Sequence, residues 1–596
     1  MQIDFENKQL ERVLIGVNAI ASAMVVATFI LLFGFDPPLL STQILYSAQL
    51  FLLFVFITEK ILRCINCTSK KQFLRNYWFE IPLLLALLIT VLGGGRWFAL
   101  EKSVASDVRH FAVGIYLVLQ VVLKLCRTSI ELAASGKNPT QTLIASFVVL
   151  ILSGAGILML PTASANGQSL RFIDALFTST SATCVTGLIV KDTGSDFSLM
   201  GQVVILSLIQ LGGLGIVIFG AVLALLLGQA FSLRESAAMQ DLLSANTLSK
   251  IGNMIAFIFG GTVLIEAVGA FCLYGMWDDV PGGSGIHSQL FCSIFHSISA
   301  FCNAGFGLFE NSLIDYSRSW QTYLIICPLI ILGGLGFAVL FDLFNIMADR
   351  IKRILKKTFS KQYRFSMATP KKMLLQTKVV LVTSLILIIL GTAAILLFET
   401  YSFRDNHPNN VNILDAFFQS VTSRTAGFNT VDISDMTSSS KLVIILLMFV
   451  GGSPGSSAGG IKTVTLAVIL MTLMATLRKR GDVEIFKRSI RIIVVGRAIT
   501  VTMLFSAVLL ITSLALSITE NSNGFSFSDI LFEAGSALGT VGLSTGITST
   551  LTTAGKLIII IVMLIGRLGP LTLMAALTFN LKPARYNYPE ESLIVG

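Results

Sequence analysis

A short glycine-containing stretch recurs four times in this chain of 596 residues and constrains its fold more than any other feature. Each copy has a glycine followed by Leu or Phe, with a Phe ten residues before that glycine. The four glycines are Gly187, Gly305, Gly427 and Gly542. A second glycine-rich element follows each copy inside an apolar run, beginning at residues 212, 333, 451 and 566. Two motifs that recur in register predict an internal repeat.

Composition places these repeats in a membrane. Hydrophobic residues make up 54% of the chain and charged residues 13%, which is typical of a polytopic membrane protein. The basic residues behind the net charge of +10 lie between apolar runs, so they indicate cytoplasmic loops and not nucleic-acid binding. The soluble segments contain neither a nucleotide-binding Gly-Lys motif nor a His/Cys/Asp metal cluster. We therefore expect no enzyme activity and no organic cofactor.

The repeats divide the chain into five parts. We predict an accessory N-terminal membrane bundle followed by four pore repeats. The bounds of these five parts are 1–135, 136–250, 251–372, 373–488 and 489–596. The four apolar segments of the bundle lie near 13–34, 40–58, 79–94 and 109–126. Each repeat comprises a spanning helix, a short half-helix, the glycine stretch and a second spanning helix. The predicted fold class is an all-α polytopic membrane protein with four helix–pore loop–helix repeats in a pseudo-fourfold arrangement, plus about four N-terminal transmembrane helices.

The half-helices are predicted to be re-entrant, because they are too short to span a bilayer and too apolar to lie in water. We place them at 173–183, 289–301, 414–423 and 528–538. The second spanning helices follow at 199–228, 320–347, 441–477 and 555–580. Asp174, Asp415 and Asp529 are expected to be the N-caps of three half-helices.

Charge in the loops predicts the orientation. The loops 350–372 and 478–491 are strongly basic and belong inside, whereas the segments 278–283 and 405–408 before two half-helices are not basic and belong outside. Each half-helix therefore enters from the external face of the cell membrane, and both chain termini are expected in the cytoplasm.

A re-entrant half-helix that ends in a glycine stretch is typical of a cation pore. Carbonyl oxygens of bare backbone can replace the hydration shell of a cation, and the negative end of the half-helix points to the same place. Glycine permits the backbone conformations that align these carbonyls. The candidate ion-binding residues are Val185, Thr186, Gly187, Asn303, Ala304, Gly305, Thr425, Ala426, Gly427, Thr540, Val541 and Gly542.

The third copy is specific enough to carry a family resemblance. The runs 423–432 (SRTAGFNTVD) and 452–462 (GSPGSSAGGIK) resemble the third pore and third second-helix of the Trk/Ktr/HKT potassium transporter superfamily. The C-terminus 588–596 resembles that of the Ktr-type membrane subunit, to which the chain is most similar apart from its extra N-terminal bundle. The resemblance implies uptake of potassium ion as the substrate. Sodium transport, or joint potassium and sodium transport, is the alternative. In this superfamily a serine in place of the first filter glycine goes with sodium preference. The residue here is Gly187, so the resemblance favours potassium.

Two elements are candidate parts of a gate. The first is the glycine-rich run inside the second helix of repeat 3, which the resemblance implies is an intramembrane loop obstructing the pore; a kinked, closely packed helix is the alternative. Its residues are Gly452, Ser453, Pro454, Gly455, Ser456, Ser457, Ala458 and Gly459. The second is Arg567, which stands where the other repeats have glycine and is expected beside the pore axis. The alternative is an arginine that snorkels to the cytoplasmic edge.

Two acids within predicted helices and the basic loops complete the sequence-based expectations. Glu533 is expected to support the filter by hydrogen bonding, and Glu266 is either a structural acid or a proton- or sodium-coupling group. The resemblance implies a homodimer on a cytosolic ring of RCK-type nucleotide-binding regulatory subunits, in addition to membrane lipids, and no nucleic acid. The positive-inside rule alone also accounts for the basic loops. A sensory membrane receptor with a vestigial pore is a further alternative.

Overall fold

The computed structural model of the chain is almost entirely helical. It describes residues 7–70, 139–215, 251–277, 286–359, 371–400 and 411–569, together with seven positions of a helix between 110 and 120. The predicted apolar segment 79–94, much of 109–126 and the C-terminal tail lie outside these residues. Among the described helices, four are long and apolar enough to cross a membrane.

Helices α1 and α2 of the N-terminal bundle span Lys8–Phe33 and Thr42–Ile65. Two reciprocal hydrogen bonds join the start of α1 to the end of α2. Asn7 N donates to Asn66 Oδ1 at 2.9 Å, and Asn66 Nδ2 donates to the Asn7 carbonyl at 3.0 Å. The other end of α1 contacts repeat 1, where Thr162 Oγ1 donates to the Phe33 carbonyl at 2.7 Å. The bundle is therefore attached to the first repeat.

Repeats 1 and 2 each contain a first helix, a half-helix and a second helix. In repeat 1 these are α3, α4 and α5, at Pro139–Leu158, Phe172–Cys184 and Leu199–Leu214. In repeat 2 they are α6, α7 and α8, at Ile251–Leu273, Ile286–Cys302 and Cys327–Leu335. A π-helical turn, Thr322–Ile326, leads into α8, and α9 follows at Phe337–Phe359.

Repeats 3 and 4 continue the pattern. Repeat 3 comprises α10, α11, α12 and α13, at Leu375–Thr400, Ile413–Thr422, Ser438–Phe449 and Thr463–Leu477. Repeat 4 comprises α14, α15 and α16, at Ile492–Thr519, Phe527–Gly539 and Thr553–Leu568. Short 3-10 turns lie at Pro161–Ala163, Asn521–Asn523 and Thr548–Thr550.

The connection between repeats 3 and 4 departs from the all-α expectation. Strands β1, Val483–Ile485, and β2, Arg488–Ile490, form an antiparallel hairpin in the segment predicted to be a basic loop. Val483 and Ile485 are buried against the inner parts of α10, α13 and α14. Alternation of buried and exposed residues places these two apolar side chains on one face, so the hairpin closes over the bundle while its charges face outward.

The second helices are interrupted where the sequence predicts continuous spans; the predicted parts 216–228 and 570–580 lie outside the described residues. In repeats 1, 2 and 4 the helix ends at a glycine with positive φ: Gly215 at 83°, Gly336 at 86° and Gly569 at 82°. L-residues with a side chain rarely adopt this conformation, so glycine ends the helix at these points. In repeat 2 the predicted helix 320–347 is instead two helical segments bent by 103° at Gly336. In repeat 3 the predicted helix 441–477 is divided by the segment 450–462.

The half-helices lie within three residues of their predicted bounds, but the predicted N-caps are wrong. The N-cap positions are Arg171, Asn412 and Ser526. Each predicted aspartate, Asp174, Asp415 and Asp529, lies three residues after its N-cap, in the first helical turn. A carboxylate there still interacts favourably with the positive end of the helix dipole, and its side chain remains available for partners outside the helix.

Candidate functional site

The backbone after each half-helix alternates between two conformations. The residue two before each repeated glycine has a positive φ although it carries a side chain: Val185 at 57°, Asn303 at 58°, Thr425 at 85° and Thr540 at 50°. The glycines themselves also have positive φ, from 69° to 93°, whereas the residues between are outside this region. Left-handed conformation costs free energy for residues with side chains, so four equivalent instances indicate a conformation maintained by its surroundings.

The four glycines form a closed ring. A Cβ atom built on Gly187 would lie 2.4 Å from the carbonyl oxygen of Ala304, and one on Gly305 would lie 2.9 Å from that of Ala426. The pattern continues around the ring, at 2.4 Å from Gly427 to the Val541 oxygen and 2.3 Å from Gly542 to the Thr186 oxygen. Each repeat thus contacts the next, and the fourth contacts the first. A side chain at any of these glycines would collide with a carbonyl of the neighbouring repeat.

All twelve candidate ion-binding residues belong to these four stretches. Their side chains are buried or half-buried, so the ring is built from backbone and small side chains packed against protein. Carbonyl oxygens brought together in this way are ligands for a dehydrated monovalent cation. The described residues contain no group of three or more His, Cys, Asp or Glu side chains that could hold a metal ion.

Hydroxyl groups on the half-helices fix the glycine stretches. Ser181 Oγ accepts from Gly187 N at 3.1 Å, and Ser536 Oγ accepts from Gly542 N at 3.0 Å. Ser299 Oγ instead donates to the Phe306 carbonyl at 2.7 Å. A buried backbone group without a partner costs free energy, so each bond stabilises the strained stretch that it contacts.

Repeat 3 uses a hydroxyl group that the serine pattern of the other three repeats does not predict. Val421 occupies the position of the three serines, but Thr422 Oγ1 donates to the Phe428 carbonyl at 2.6 Å. This is the bond that Ser299 makes in repeat 2, displaced by one residue. The signal was present as a hydroxyl residue next to the aligned position, because α11 ends five residues before its glycine whereas the other half-helices end three residues before theirs.

The second glycine-rich elements bring the second helices against the ends of the half-helices. A Cβ on Gly212 would lie 2.0 Å from the Thr183 oxygen, and one on Gly333 would lie 1.9 Å from the Phe301 oxygen. In repeat 4 the equivalent distance, from Gly566 to the Leu538 oxygen, is 2.2 Å. These carbonyls stand four residues before the ring glycines. Glycine is required here because helix backbone packs directly on the base of the ring.

Polar contacts join neighbouring repeats at the outer ends of the half-helices. Lys556 Nζ of repeat 4 lies 2.8 Å from Asp174 Oδ1 of repeat 1, and Tyr323 Oη of repeat 2 donates to Asp415 Oδ1 of repeat 3 at 2.7 Å. Lys441 Nζ of repeat 3 lies 3.8 Å from Asp529 Oδ1 of repeat 4. The aspartates predicted as caps therefore bind the second helix of the preceding repeat.

The boundary between repeats 1 and 2 contains a different contact. Gln210 Nε2 donates to Glu266 Oε2 at 3.1 Å, and Ser297 Oγ donates to the Glu266 carbonyl at 2.7 Å. Glu266 is 7% exposed and joins α5 to the first helix and half-helix of its own repeat. These contacts favour the structural interpretation of this acid over ion coupling.

Glu533 holds the segment that follows the fourth glycine. Its carboxylate accepts from the Thr545 backbone N at 3.2 Å and from Thr548 Oγ1 at 2.9 Å, and it also accepts from Ser544 Oγ. The side chain is fully buried. These hydrogen bonds are of the kind expected for Glu533, and they hold the segment that directly follows the fourth glycine stretch.

The candidate gate residues form a non-helical loop that packs beneath the ring. Ser453 N donates to the Gly334 carbonyl at 2.9 Å, and Ser457 Oγ donates to the Gly333 carbonyl at 3.3 Å. On another side, a Cβ on Gly459 would lie 2.2 Å from Thr540 Oγ1. The loop of repeat 3 therefore contacts the second helix of repeat 2 and the start of the glycine stretch of repeat 4. The structure has a loop here and not a continuous kinked helix.

Arg567 joins this loop to repeat 1. Its guanidinium donates to the carbonyls of Ser457 and Gly212, and Nη2 lies 3.4 Å from the Gly213 oxygen. The side chain is half-buried and bound to backbone oxygens at the base of the ring, so it does not snorkel to the cytoplasmic edge. Lys462 Nζ donates to the Ala458 carbonyl at 2.6 Å, which adds a second cation to the same loop.

A further buried cation was not assigned a role from the sequence. Arg424 stands at the base of the third half-helix, where its guanidinium donates to the Ser384 carbonyl at 3.3 Å and to Ser384 Oγ at 3.2 Å. In the sequence, the only indication of such a role is a charged residue among small and apolar neighbours. Its charge lies at the negative end of α11, where a cation stabilises the helix.

Comparison with known protein families identifies one match. Residues 107–586 match the TrkH family, described as cation transport protein. This range covers the four repeats and begins inside the N-terminal bundle.

Several characterised proteins are similar over most of their length. Ktr system potassium uptake protein B of Bacillus subtilis is 39% identical over 465 residues, which cover 77% of this chain and 97% of that protein. The protein of the same name from Vibrio alginolyticus is 35% identical, covering 78% and 96%. Potassium/sodium uptake protein NtpJ of Enterococcus hirae is 35% identical, covering 77% and 97%.

The fold is similar to a solved structure. The crystal structure of the potassium transporter TrkH from Vibrio parahaemolyticus matches with a TM-score of 0.55 at 18% sequence identity. The match covers 85% of this chain and 96% of that one. At this identity the likeness establishes the shared all-helical membrane fold.

Proposed function

Because this chain belongs to the TrkH family of cation transport proteins, we propose that it carries potassium ions into the cell through a channel-like pore whose selectivity filter is the ring of four glycine stretches. Family membership also confirms that the chain is a transport protein and not an enzyme. It counts against a sensory receptor with a vestigial pore.

The closed ring of glycines is the observation that carries the proposal. Four stretches from distant parts of the chain contact one another in the order 187, 305, 427 and 542, and each glycine is approached by a carbonyl oxygen of the next repeat. The half-helices direct their negative ends toward this ring. A ring of carbonyl dipoles favours a cation that has lost its water and provides little affinity for an anion.

Potassium is favoured over sodium by two observations. All four ring positions are glycine, and two of the relatives are named potassium uptake proteins. Joint potassium and sodium transport is the alternative, since a third relative is named a potassium/sodium uptake protein. At about 2.3 kcal/mol per charge for each 100 mV, an inside-negative membrane potential can drive accumulation of a monovalent cation.

We propose that the loop of repeat 3 and Arg567 form the gate. The loop lies under the ring and contacts repeats 2 and 4, and Arg567 binds it to repeat 1. A fixed positive charge beneath the filter raises the barrier for a cation leaving it. Flux then requires that the loop move away from the axis and that Arg567 exchange or release its carbonyl partners.

We also propose that the protein works as a homodimer regulated by a cytosolic ring of nucleotide-binding subunits. The segments 350–372 and 478–491, which are predicted to be cytoplasmic, contain the positive charge for such docking. Such a partner would act by binding the open state of the loop more tightly than the closed state. The proposed orientation, with both termini in the cytoplasm, follows from the same charges.

Rubidium uptake in a host that lacks its own potassium transport tests the function. Expression of the wild-type chain should restore growth at low potassium and support uptake of rubidium that excess potassium inhibits and excess sodium inhibits less. Equal inhibition by both ions would favour joint transport. No uptake by a correctly inserted protein, with any partner supplied, would contradict the proposal.

A further inference from the structure

Helix α9 leaves the second helix of repeat 2 almost at a right angle. The bend of 103° is at Gly336, directly below the glycine ring. The preceding helical segment, Thr322–Leu335, starts beside the exposed Trp320 and advances about 21 Å along its axis, compared with a hydrocarbon core of about 30 Å. With that segment crossing the membrane in the proposed orientation, the 23-residue helix that follows would run roughly parallel to the bilayer plane near its cytoplasmic side.

Polar contacts hold α9 in place at its start and farther along its length. At the pore end, Phe337 N donates to the Gly455 carbonyl at 3.0 Å. Farther along, Asp342 Oδ2 accepts from Leu374 N at 3.1 Å and from Thr377 Oγ1 at 2.7 Å, at the start of α10. Asp349 Oδ2 accepts from Lys371 N at 3.3 Å. The acidic side of α9 is thus held against the cytoplasmic start of the next spanning helix.

The opposite side of α9 carries an exposed apolar stripe. Phe344, Met347, Ile351 and Leu355 recur every three or four residues, which places them on one face of the helix. Their exposed fractions are 50%, 58%, 48% and 50% in the described part of the chain. Large apolar side chains that remain exposed along one helix face indicate that another apolar surface covers this face.

Positive charge borders the stripe. Arg350 and Lys352 are both exposed and lie on either side of Ile351 around the helix. In total α9 contains five basic and two acidic residues, and the two acids are bound to the start of α10. An apolar face flanked by basic residues is the pattern of a helix that lies in the interface of an anionic leaflet.

We propose that α9 is an interfacial helix that seats its apolar stripe in the cytoplasmic leaflet and recruits anionic phospholipid headgroups with Arg350 and Lys352. The occupant is the bilayer and not a second copy of the chain, because pairing two such stripes would bring the flanking cations of both copies together. An apolar stripe exposed to the aqueous cytosol is unfavourable, and the acyl chains of the adjacent leaflet can cover it.

Quenching by brominated lipids tests this placement on the full-length protein. Met347→Trp places a fluorophore on the stripe, and Lys352→Trp places one on the polar border as the matched control. Both variants are reconstituted in vesicles of phosphatidylcholine and phosphatidylglycerol with bromine on the acyl chains of one lipid or the other. We expect stronger quenching of Met347→Trp than of Lys352→Trp over the parental signal, and stronger quenching by brominated phosphatidylglycerol than by an equal amount of brominated phosphatidylcholine.

A charge variant separates headgroup recruitment from simple burial. Adding Arg350→Gln and Lys352→Gln to Met347→Trp should retain the quenching but reduce the preference for phosphatidylglycerol by several-fold, since each basic residue near a surface contributes about a fivefold preference. An unchanged preference would overturn the recruitment of anionic lipid.

Three results would overturn the placement itself. They are equal quenching of the stripe and border positions, strong quenching of Met347→Trp by aqueous acrylamide, and efficient disulfide cross-linking of Met347→Cys between copies beyond that of the parent chain. None of these measurements requires transport, so they remain informative even if the proposed substrate is wrong.

Discussion

The carbonyl oxygen of Ser457 accepts a hydrogen bond from the guanidinium of Arg567, which joins the loop of repeat 3 to the second helix of repeat 4. The same guanidinium also donates to the Gly212 carbonyl of repeat 1. One side chain therefore connects three of the four repeats at the base of the glycine ring. This relationship gives the first prediction.

Replacing Arg567 by alanine should increase cation flux, because it removes a positive charge from the pathway and releases the loop. A barrier lowered by about 1.4 kcal/mol corresponds to about tenfold faster flux. Arg567→Lys keeps the charge and should retain most of the barrier. Rubidium uptake, normalised to the amount of protein in the membrane, compares the three proteins; equal rates for Ala and wild type would show that this charge does not limit flux.

Deleting Gly455 to Gly459 should also increase flux and weaken control by any cytosolic partner. The deletion removes the Ser457 carbonyl and the backbone that packs on Thr540. Ser456→Ala is a suitable control, because Ser456 Oγ donates only within the loop, to the Ser453 carbonyl at 2.7 Å. Reduced flux in a folded, well-expressed deletion protein would mean that the loop supports the filter and does not obstruct it.

Substituting Gly187 by serine should reduce the preference for potassium over sodium. The added Cβ would lie 2.4 Å from the Ala304 oxygen, and φ at this position is 91°. Backbone strain of roughly 1–3 kcal/mol must then be relieved by moving one quarter of the ring, which corresponds to about a tenfold loss of selectivity. Gly156→Ser is the control, since nothing lies within 4 Å of a Cβ there. Competition between rubidium and sodium for uptake measures the selectivity. An unchanged selectivity in Gly187→Ser would show that Gly187 is not a filter residue.

Thr422→Val should destabilise the third glycine stretch. The substitution leaves the Phe428 carbonyl without its hydroxyl partner at a cost of about 1–3 kcal/mol. Thr422→Ser retains the donor and should behave like the wild type. Thermal unfolding in detergent and the selectivity ratio are the two measurements. If Val and Ser variants match in both, the hydroxyl is not needed to hold the stretch.

Assembly is tested without mutation. Light scattering of the purified protein in detergent and cross-linking in lipid should both give the mass of a dimer. A cytosolic nucleotide-binding protein should co-purify at low salt, and flux should then depend on nucleotide. Only monomers would contradict the homodimer, and nucleotide-independent flux with no associated protein would contradict the regulatory ring.

The parts of the site that the sequence predicts well are those specified by local pattern. Each half-helix and glycine stretch is short, repeated and in register, so the positions of Gly187 and its three counterparts could be found without any tertiary information. The separation between the gate loop and its flanking helices was also visible, because a run containing Pro454 and several glycines does not continue a helix.

The remaining features depend on contacts between distant segments. Asp174 fits an N-cap in the sequence, but its partner Lys556 is 382 residues away. Gly215, Gly336 and Gly569 stand in apolar runs that also suit a continuous spanning helix, and the positive φ that ends the helix at each of them is not visible in the sequence. The role of the Thr422 hydroxyl is not predicted by aligning the four glycines, because that alignment places Val421 at the position of the other repeats' serines.

The presence of four unequal repeats in one chain permits an asymmetry that four identical subunits could not have. A symmetric tetramer with this arginine would bring four cations together at the base of its ring, and a symmetric tetramer with this loop would place four loops in a space that holds one. At the three positions equivalent to Arg567 the other repeats have Gly213, Gly334 and Gly452, which add no charge, and the acceptors of the guanidinium include the carbonyls of Gly212 and Gly213. Separate repeats thus allow the residues proposed for the gate to differ from repeat to repeat while the four glycines of the ring stay the same.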